Sequence, residues 1–333
     1  MGKTIVISDV HFGYEESTLR NKIYCDLFIN KLREIENINQ IILLGDIFEF
    51  MLCGYKQAIN ESKYFFNQIL QLDSLKKIVY IPGNHDHSFY WQHILFNQLI
   101  IPVDQDNQLH NKDLLFLDSY TNKGNRNFLR FMFNNKDVEL KYPIHKEEIN
   151  GKKYLFFHGH FFDHLQTLQG DLIQAIIGKI QKPNLDQLCI LNAGQYETLT
   201  ILGQCHIGRN KMKNIMEKME KSKFKKLFLN FFGINSKHPE KYAHEIEGFL
   251  RDFCGKWEEI YPNNVYDVLD YFIFGHTHKA NIGTFTLSDN KKKSYSINTG
   301  CWFPQGNRQI IGNFLLIDED KSHPVLYKFK KDG

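Results

Sequence analysis

The side chains able to do metal chemistry in this 333-residue chain fall into five tight clusters. They are Asp9 and His11; Asp46 and Glu49; Asn84, His85 and Asp86; His158 and His160; and His276 and His278. Carboxylates and imidazoles without thiolates form a donor set suited to Mn, Fe or Zn. In Asp9-Val-His11 and His276-Thr-His278 the spacing lets both side chains reach one ion from the same face of a strand. The donors are too many for one ion and enough for two. Asp46, the lone acid directly after Gly45, is placed to be shared between them. Two ions about 3.5–4 Å apart clamp the attacking and leaving oxygens of a phosphoryl displacement. One such cluster alone is more often a satisfied surface or core feature. Five in one chain, each directly after an apolar run, carry the inference.

Those apolar runs are the elements that must position the clusters. They are TIVIS (4–8), QIILL (40–44), KIVYI (77–81), KYLFF (153–157) and DYFIF (270–274), followed by SYSI (294–297) before Asn298-Thr299-Gly300. Their length and β-branched or aromatic content predict strands. Helical patterns fill 17–36, with Leu19, Ile23, Leu27 and Leu32 at roughly helical spacing, and 57–72. Alternation of strand and helix predicts an α/β sheet, and open α/β sheets place ligands at the carboxyl ends of their strands. Residues 163–262 break this rhythm and read as mostly helical, and strands return over 270–333, with hairpin turns predicted at 288–290 and 318–320. The organisation predicted is one α/β domain, 1–162 plus 263–333, interrupted by a helical insertion, 163–262.

Asp9-Val-His11, Gly45-Asp46-x-x-Glu49, Gly83-Asn84-His85-Asp86, His158-Gly-His160 and Gly275-His276-Thr-His278 resemble, in order, the five signature blocks of the calcineurin-like metallophosphoesterase superfamily. Asn298-Thr-Gly300 is similar to the family's trailing turn, and the insertion lies outside the resemblance. The resemblance implies a four-layer α-β-β-α sandwich, with the insertion as a helical cap and two divalent ions (Mn, Fe or Zn) at its edge. It implies that Asp9, His11, Asp46 and His278 hold one ion, and Asp46, Asn84, His158 and His276 the other. It further implies that a metal-bridging hydroxide attacks the phosphate ester, that His85 protonates the leaving oxygen, and that Asp86 hydrogen-bonds His85. Glu49 and His160 are candidate substrate contacts. Orienting roles are the alternative for both, and a plain surface acid is a further alternative for Glu49. His87 and His164 read as exposed loop histidines, and Trp302 and Phe303 as core or rim.

The implied activity is that of a two-metal phosphoesterase on a phosphorylated small-molecule or lipid-like substrate. The acidic block, GDIFEFM, lacks the Gly-Asp-x-x-Asp-Arg-Gly of Ser/Thr protein phosphatases and is more similar to that of UDP-2,3-diacylglucosamine pyrophosphatases. Those enzymes, however, carry Arg where His85 stands and His-Gly-Asp where His158-Gly-His160 stands, which leaves that activity as the alternative. A non-catalytic scaffold is a second alternative, countered by the presence of every ligand position. Lys and Arg number 41 against 38 Asp and Glu, a balance of +3. With no broad basic face to bind a phosphate backbone, no nucleic-acid partner is expected. No obligate protein partner is evident. The six cysteines make no CxxC pair. Their scatter, and the absence of an apolar run of membrane-spanning length, give a cytoplasmic expectation. Within the insertion, 209–226 holds eight basic residues against Glu217 and Glu220. Met212, Ile215, Met216 and Met219 share one helical face there. Over 209–232 this is either a cap helix packed on the domain or a lid that meets an anionic membrane or a lipid-like substrate.

Overall fold

The computed structural model describes residues 2–95, 133, 138–160, 185–205, 269–286, 293–304 and 310–331. Eleven strands among them form two sheets. The first sheet holds β1 (Lys3–Ile7), β2 (Ile38–Leu44), β3 (Lys77–Ile81) and β4 (Val138–Leu140), with β10 (Ile310–Asp318) and β11 (Val325–Lys330), in the order β11-β10-β1-β2-β3-β4. The second holds β5 (Ile144–Ile149), β6 (Lys152–Phe157), β7 (Tyr271–Phe274), β8 (Asn281–Thr286) and β9 (Lys293–Asn298), in the order β5-β6-β7-β9-β8. β1 to β4 run parallel, as do β6, β7 and β9; antiparallel pairing closes the second sheet at both ends and the first at its β10–β11 end.

Alternation along these strands divides two hydrophobic cores. Val6, Ile42, Leu44, Val79 and Ile81 of the first sheet share one core with Tyr154, Phe156, Tyr271, Ile273 and Ile297 of the second. The intervening residues Ile5, Ile7, Ile41, Leu43, Ile78 and Tyr80 join the other core, with Phe28, Ile29, Phe65 and Phe66 from the helices. Strands buried on both faces read as unbroken apolar runs, which is why all six predicted strands are found within a residue or two of their expected ends. The turn predicted at 318–320 joins β10 to β11, with Asp318 Oδ1 accepting from the Asp320 N–H at 3.1 Å. The turn predicted at 288–290 lies outside the described residues.

Helix α1 spans Lys22–Glu34 and begins at Asn21, whose side chain accepts from the Ile23 N–H. Its start corrects the predicted 17–36, and so does its face. Cys25, Phe28, Ile29 and Leu32 are buried, whereas Ile23 is 68% and Leu27 36% exposed. Leu19 is buried from a separate 3-10 turn at Thr18–Arg20, so it does not fix the helix phase. Helix α2, Tyr55–Ile69, buries Ala58, Phe65, Phe66 and Ile69, and two further helices are α3, Ser88–Leu95, and α4, Leu185–Gln204. Among the described residues, helices lie on the first sheet and the two sheets pack together, three of the four expected layers. α4 lies within the expected insertion. The rest of 163–262 apart from 185–205, including 209–232, lies outside the described residues, and so does His164. Among the described residues no helix is long and apolar enough to cross a membrane.

Phe28 is fully buried against Trp302, with ring centroids 4.5 Å apart, and also against Phe65, Phe314 and Phe329. Phe28→Ala should destabilise the protein by about 3–5 kcal/mol. Leu27→Ala, one residue away on the open face, should cost about 0.5 kcal/mol or less. Urea unfolding of the two variants checks the helix phase directly, and comparable losses would restore the predicted face.

Candidate metal centre

Each of the five clusters lies just past the carboxyl end of a parallel strand. Asp9 and His11 follow β1; Asp46 and Glu49 follow β2; Asn84, His85 and Asp86 follow β3. His158 and His160 follow β6, and His276 and His278 follow β7. The two sheets present these ends side by side: the His276 N–H donates to both oxygens of Asp9 at 3.0 Å, and His158 Nδ1 lies 2.8 Å from the Leu44 carbonyl.

The turns themselves correct the extended-strand argument for Asp-x-His. Asp9, His11, Asp46, His276 and His278 all have positive φ, between 51° and 67°. This left-handed region is uncommon for non-glycine residues, though Asp and His enter it more readily than most. Five such residues together mark stored strain of the kind found at functional sites. The paired side chains thus converge from left-handed turns beyond the strands and not from extended strand ends. Glycines make the approach feasible. A Cβ on Gly83 would collide with the Asp46 carboxylate, and one on Gly45 with the His158 ring.

Two groups of donors result. Asp9, His11, Asp46 and His278 offer ligand atoms within 4.8 Å of one another, and so do Asp46, His158 and His276. Asp46 belongs to both. Asn84 is buried in the same turn as His85, and its Oδ1 has no hydrogen-bond partner. The His11 and His158 Nε2 atoms are also buried and lack hydrogen bonds, although they lie 3.7 and 3.2 Å from Asp46 Oδ2. Their opposite nitrogens are engaged. The His158 Nδ1–H donates to the Leu44 carbonyl at 2.8 Å, and the His11 Nδ1–H donates to Glu49 Oε2 at 3.0 Å. Donation through Nδ1 fixes the tautomer and turns the Nε2 lone pair inward. Unsatisfied, buried, convergent oxygen and nitrogen atoms cost stability when left bare, and a divalent cation satisfies them. The donor set fits the ion class read from the sequence.

Electrostatics agree with that fit. Burial pushes the Asp46 carboxyl up, but His158, His85 and His11 hold it well below its ordinary value. Burial opposes ionisation of Asp9 as well, and His278 outweighs it. Glu49 is held at about 2: burial raises it, and His85 and His11 more than reverse that. The centre therefore presents ionised carboxylates in a water-poor setting.

Several residues take different places from those expected. Glu49 is no surface acid and has no free edge for substrate. Besides His11, its carboxylate accepts from His85 Nδ1 at 2.9 Å and from the Met51 and Leu52 N–H groups at 3.1 and 2.9 Å. The third donor group found, His11, Glu49 and His85, is this hydrogen-bonded set. Asp86 makes no bond to His85. It accepts instead from the Gly83 and Ile47 N–H groups at 2.6 and 2.7 Å, from Phe48, and from the Tyr80 hydroxyl. It therefore ties the turn after β3 to the turn after β2, and Glu49 is the partner of His85. His160 is buried, with its Nε2 3.1 Å from the Tyr142 hydroxyl. His87 is likewise buried and not exposed; its Nδ1 lies 3.0 Å from the Gly83 carbonyl, and burial pulls it down to about 4. Trp302 is core, while Phe303 stands at the rim, 5.3 and 5.0 Å from the His11 and His278 rings.

Two supporting residues escaped sequence reasoning. The Ser8 hydroxyl bonds to both Asp9 and Thr299, and Tyr80 bonds Asp86. Ser8, polar at the end of an apolar run, carried a signal; Tyr80, inside one, carried none.

A family model described as calcineurin-like phosphoesterase matches residues 2–280. Comparison with curated protein sequences finds no match. Similar solved structures include a hypothetical protein from Pyrococcus horikoshii (10% identity, TM-score 0.41, covering 99% of this chain and 88% of that one). A dimetal phosphatase from Danio rerio (12%, 0.40, 99% and 96%) and a metallophosphoesterase from Sphaerobacter thermophilus (10%, 0.34, 99% and 88%) are also similar. With the family match spanning most of the chain and the donor groups at its five blocks, the protein belongs to the calcineurin-like phosphoesterases and is a metal-dependent phosphoester hydrolase.

Proposed function

We propose that the enzyme hydrolyses a phosphorylated small molecule with two divalent ions, Mn, Fe or Zn, and with His85 as the proton donor. The observation that carries this reading is Asp46, shared by two donor groups whose other members do not overlap. One ion would be held by Asp9, His11, Asp46 and His278, the other by Asp46, Asn84, His158 and His276. Bound there, the ions would supply Lewis acidity toward the phosphate and toward water.

The remaining work falls to the protein's own side chains. His85 Nδ1 is held by Glu49, which leaves Nε2 as the nitrogen able to face a leaving oxygen. Burial disfavours the imidazolium, but the charges of Glu49 and Asp46 outweigh this and raise His85 to about 9. An imidazolium supported by Glu49 in this way suits donation to an alkoxide or phenoxide. The His85 ring lies 4.7 Å from that of His11, so the donor stands beside the first donor group.

Asp46→Asn should bind both ions poorly, because one carboxylate serves both. Elemental analysis finding two tightly held ions in this variant would exclude the shared role. His85→Ala should keep its metal and lose about 10²–10⁴-fold in turnover on phosphate esters with poor leaving groups. The loss should shrink for nitrophenyl phosphate, whose leaving group needs no proton; an equal loss on both would mean His85 only binds phosphate. The pH dependence follows with a definite sign. Activity needs protonated His85 and so declines as pH rises through its pKa. Glu49→Gln removes the largest charge that raises this pKa. Its kcat profile should therefore begin to fall at lower pH than the parent's, and an unmoved basic limb would detach Glu49 from the donor.

A further inference from the structure

Helix α4 lies on the turn that carries Glu49. Its last residue, Gln204, donates through Nε2 to the Phe50 and Cys53 carbonyls at 2.8 and 3.1 Å. The same side chain accepts at Oε1 from the Tyr55 N–H at 2.8 Å, a donor in the first turn of α2 that has no partner within the helix. One amide thus closes both ends of the 50–55 turn. The helix sits directly on this segment, since a Cβ on Gly203 would collide with the Met51 carbonyl. Met51, Leu52 and Tyr196 pack together as a small buried cluster. Two turns before Gln204, Glu197 accepts from the Ser88 hydroxyl at 2.7 Å and from the Tyr55 hydroxyl at 3.4 Å. It therefore joins the start of α2 to the start of α3, three residues after His85.

The far side of the same turn holds the catalytic constellation. The Met51 and Leu52 N–H groups donate to Glu49 Oε1, and the Phe50 N–H donates to the His85 carbonyl at 3.2 Å. Glu49 in turn holds Nδ1 of both His11 and His85. A continuous path of hydrogen bonds runs from Gln204 through the turn to the two imidazoles. Apolar packing alone would anchor α4 without three polar bonds converging on the turn that shapes Glu49.

We propose that α4 sets the orientation of Glu49, and through it of His85, with Gln204 and Glu197 as positioning residues for proton donation. This rests on the assignment of His85 as the donor. The test uses the full-length, metal-loaded enzyme with Gln204→Leu, Glu197→Ala and Glu197→Gln. Gln204→Leu and Glu197→Ala should lower kcat on phenyl phosphate about tenfold or more, as removal of an outer supporting partner does. KM should hold, and nitrophenyl phosphate should suffer far less. Glu197→Gln, which retains an acceptor for Ser88, should restore most of the rate. A second readout is independent of turnover: in metal-free protein, the Nδ1–H proton resonance of His85, identified by its absence in His85→Ala, should shift or broaden in the two damaging variants. Equal losses on both substrates with an unchanged His85 resonance would reduce α4 to a structural prop. Should Gln204→Leu fail to fold, the Glu197 pair decides the matter alone. If the parent enzyme's His85→Ala shows no leaving-group dependence, the donor assignment fails, while the resonance still reports whether α4 positions the ring.

Discussion

A carboxylate cut off from water stays ionised only where N–H donors or positive charge surround it, and Asp46 has both around it. The His85 N–H donates to its Oδ1 at 2.8 Å, and the His158 and His11 rings face its Oδ2. Its position requires the turn after β2 to double back against the turn after β3, which Gly83 permits by having no side chain. It also requires the second sheet to bring His158 into reach, so the relative placement of the two sheets is set partly by polar chemistry at their shared edge. The hydrophobic core between them is non-directional. The ligands add the direction.

The strained turns follow from the same demand. In an extended strand end, neighbouring side chains diverge to opposite faces. In three of the five turns that converge on the centre, the backbone reverses within a residue. Left-handed conformations at Asp9, His11, Asp46, His276 and His278 do this. Interlocking main-chain bonds hold them there: Asp9 N–H to the Gly45 carbonyl, His11 N–H to that of Asp46, and Trp302 N–H to that of Asp9. Each turn is braced by another turn of the centre, so the strain is distributed across both sheets.

What was legible in the sequence was composition and order. Apolar runs buried on both faces announce strands wherever they stand, and ligand clusters at their ends announce a centre. Which side chain bonds which was less legible, because it depends on the turns between. Asp86 adjoins His85 in the chain, yet its carboxylate is drawn back by four donors of the turns it closes, while Glu49, 36 positions away, reaches the imidazole. Local spacing likewise misjudged α1. Ile23 and Leu27 keep helical rhythm with Leu19, but Leu19 belongs to a separate turn, so the apolar periodicity joined two elements that extended backbone at Asn21 divides. His87 was legible only as a loop residue. Its burial comes from rings distant in sequence, Tyr142 and Tyr196.

The two imidazoles that face Asp46 are held by acceptors of different kinds. His11 depends on a side chain, Glu49, whereas His158 depends on the main-chain carbonyl of Leu44. No substitution at position 44 deletes a peptide oxygen, short of one that moves the strand itself. The Nδ1 acceptor of His158 therefore survives any side-chain exchange at position 44, while that of His11 is removed by a single amino-acid exchange at Glu49. The donor group containing His11 is thus the half of the centre whose bracing a side-chain exchange can remove, and the group containing His158 keeps a main-chain brace.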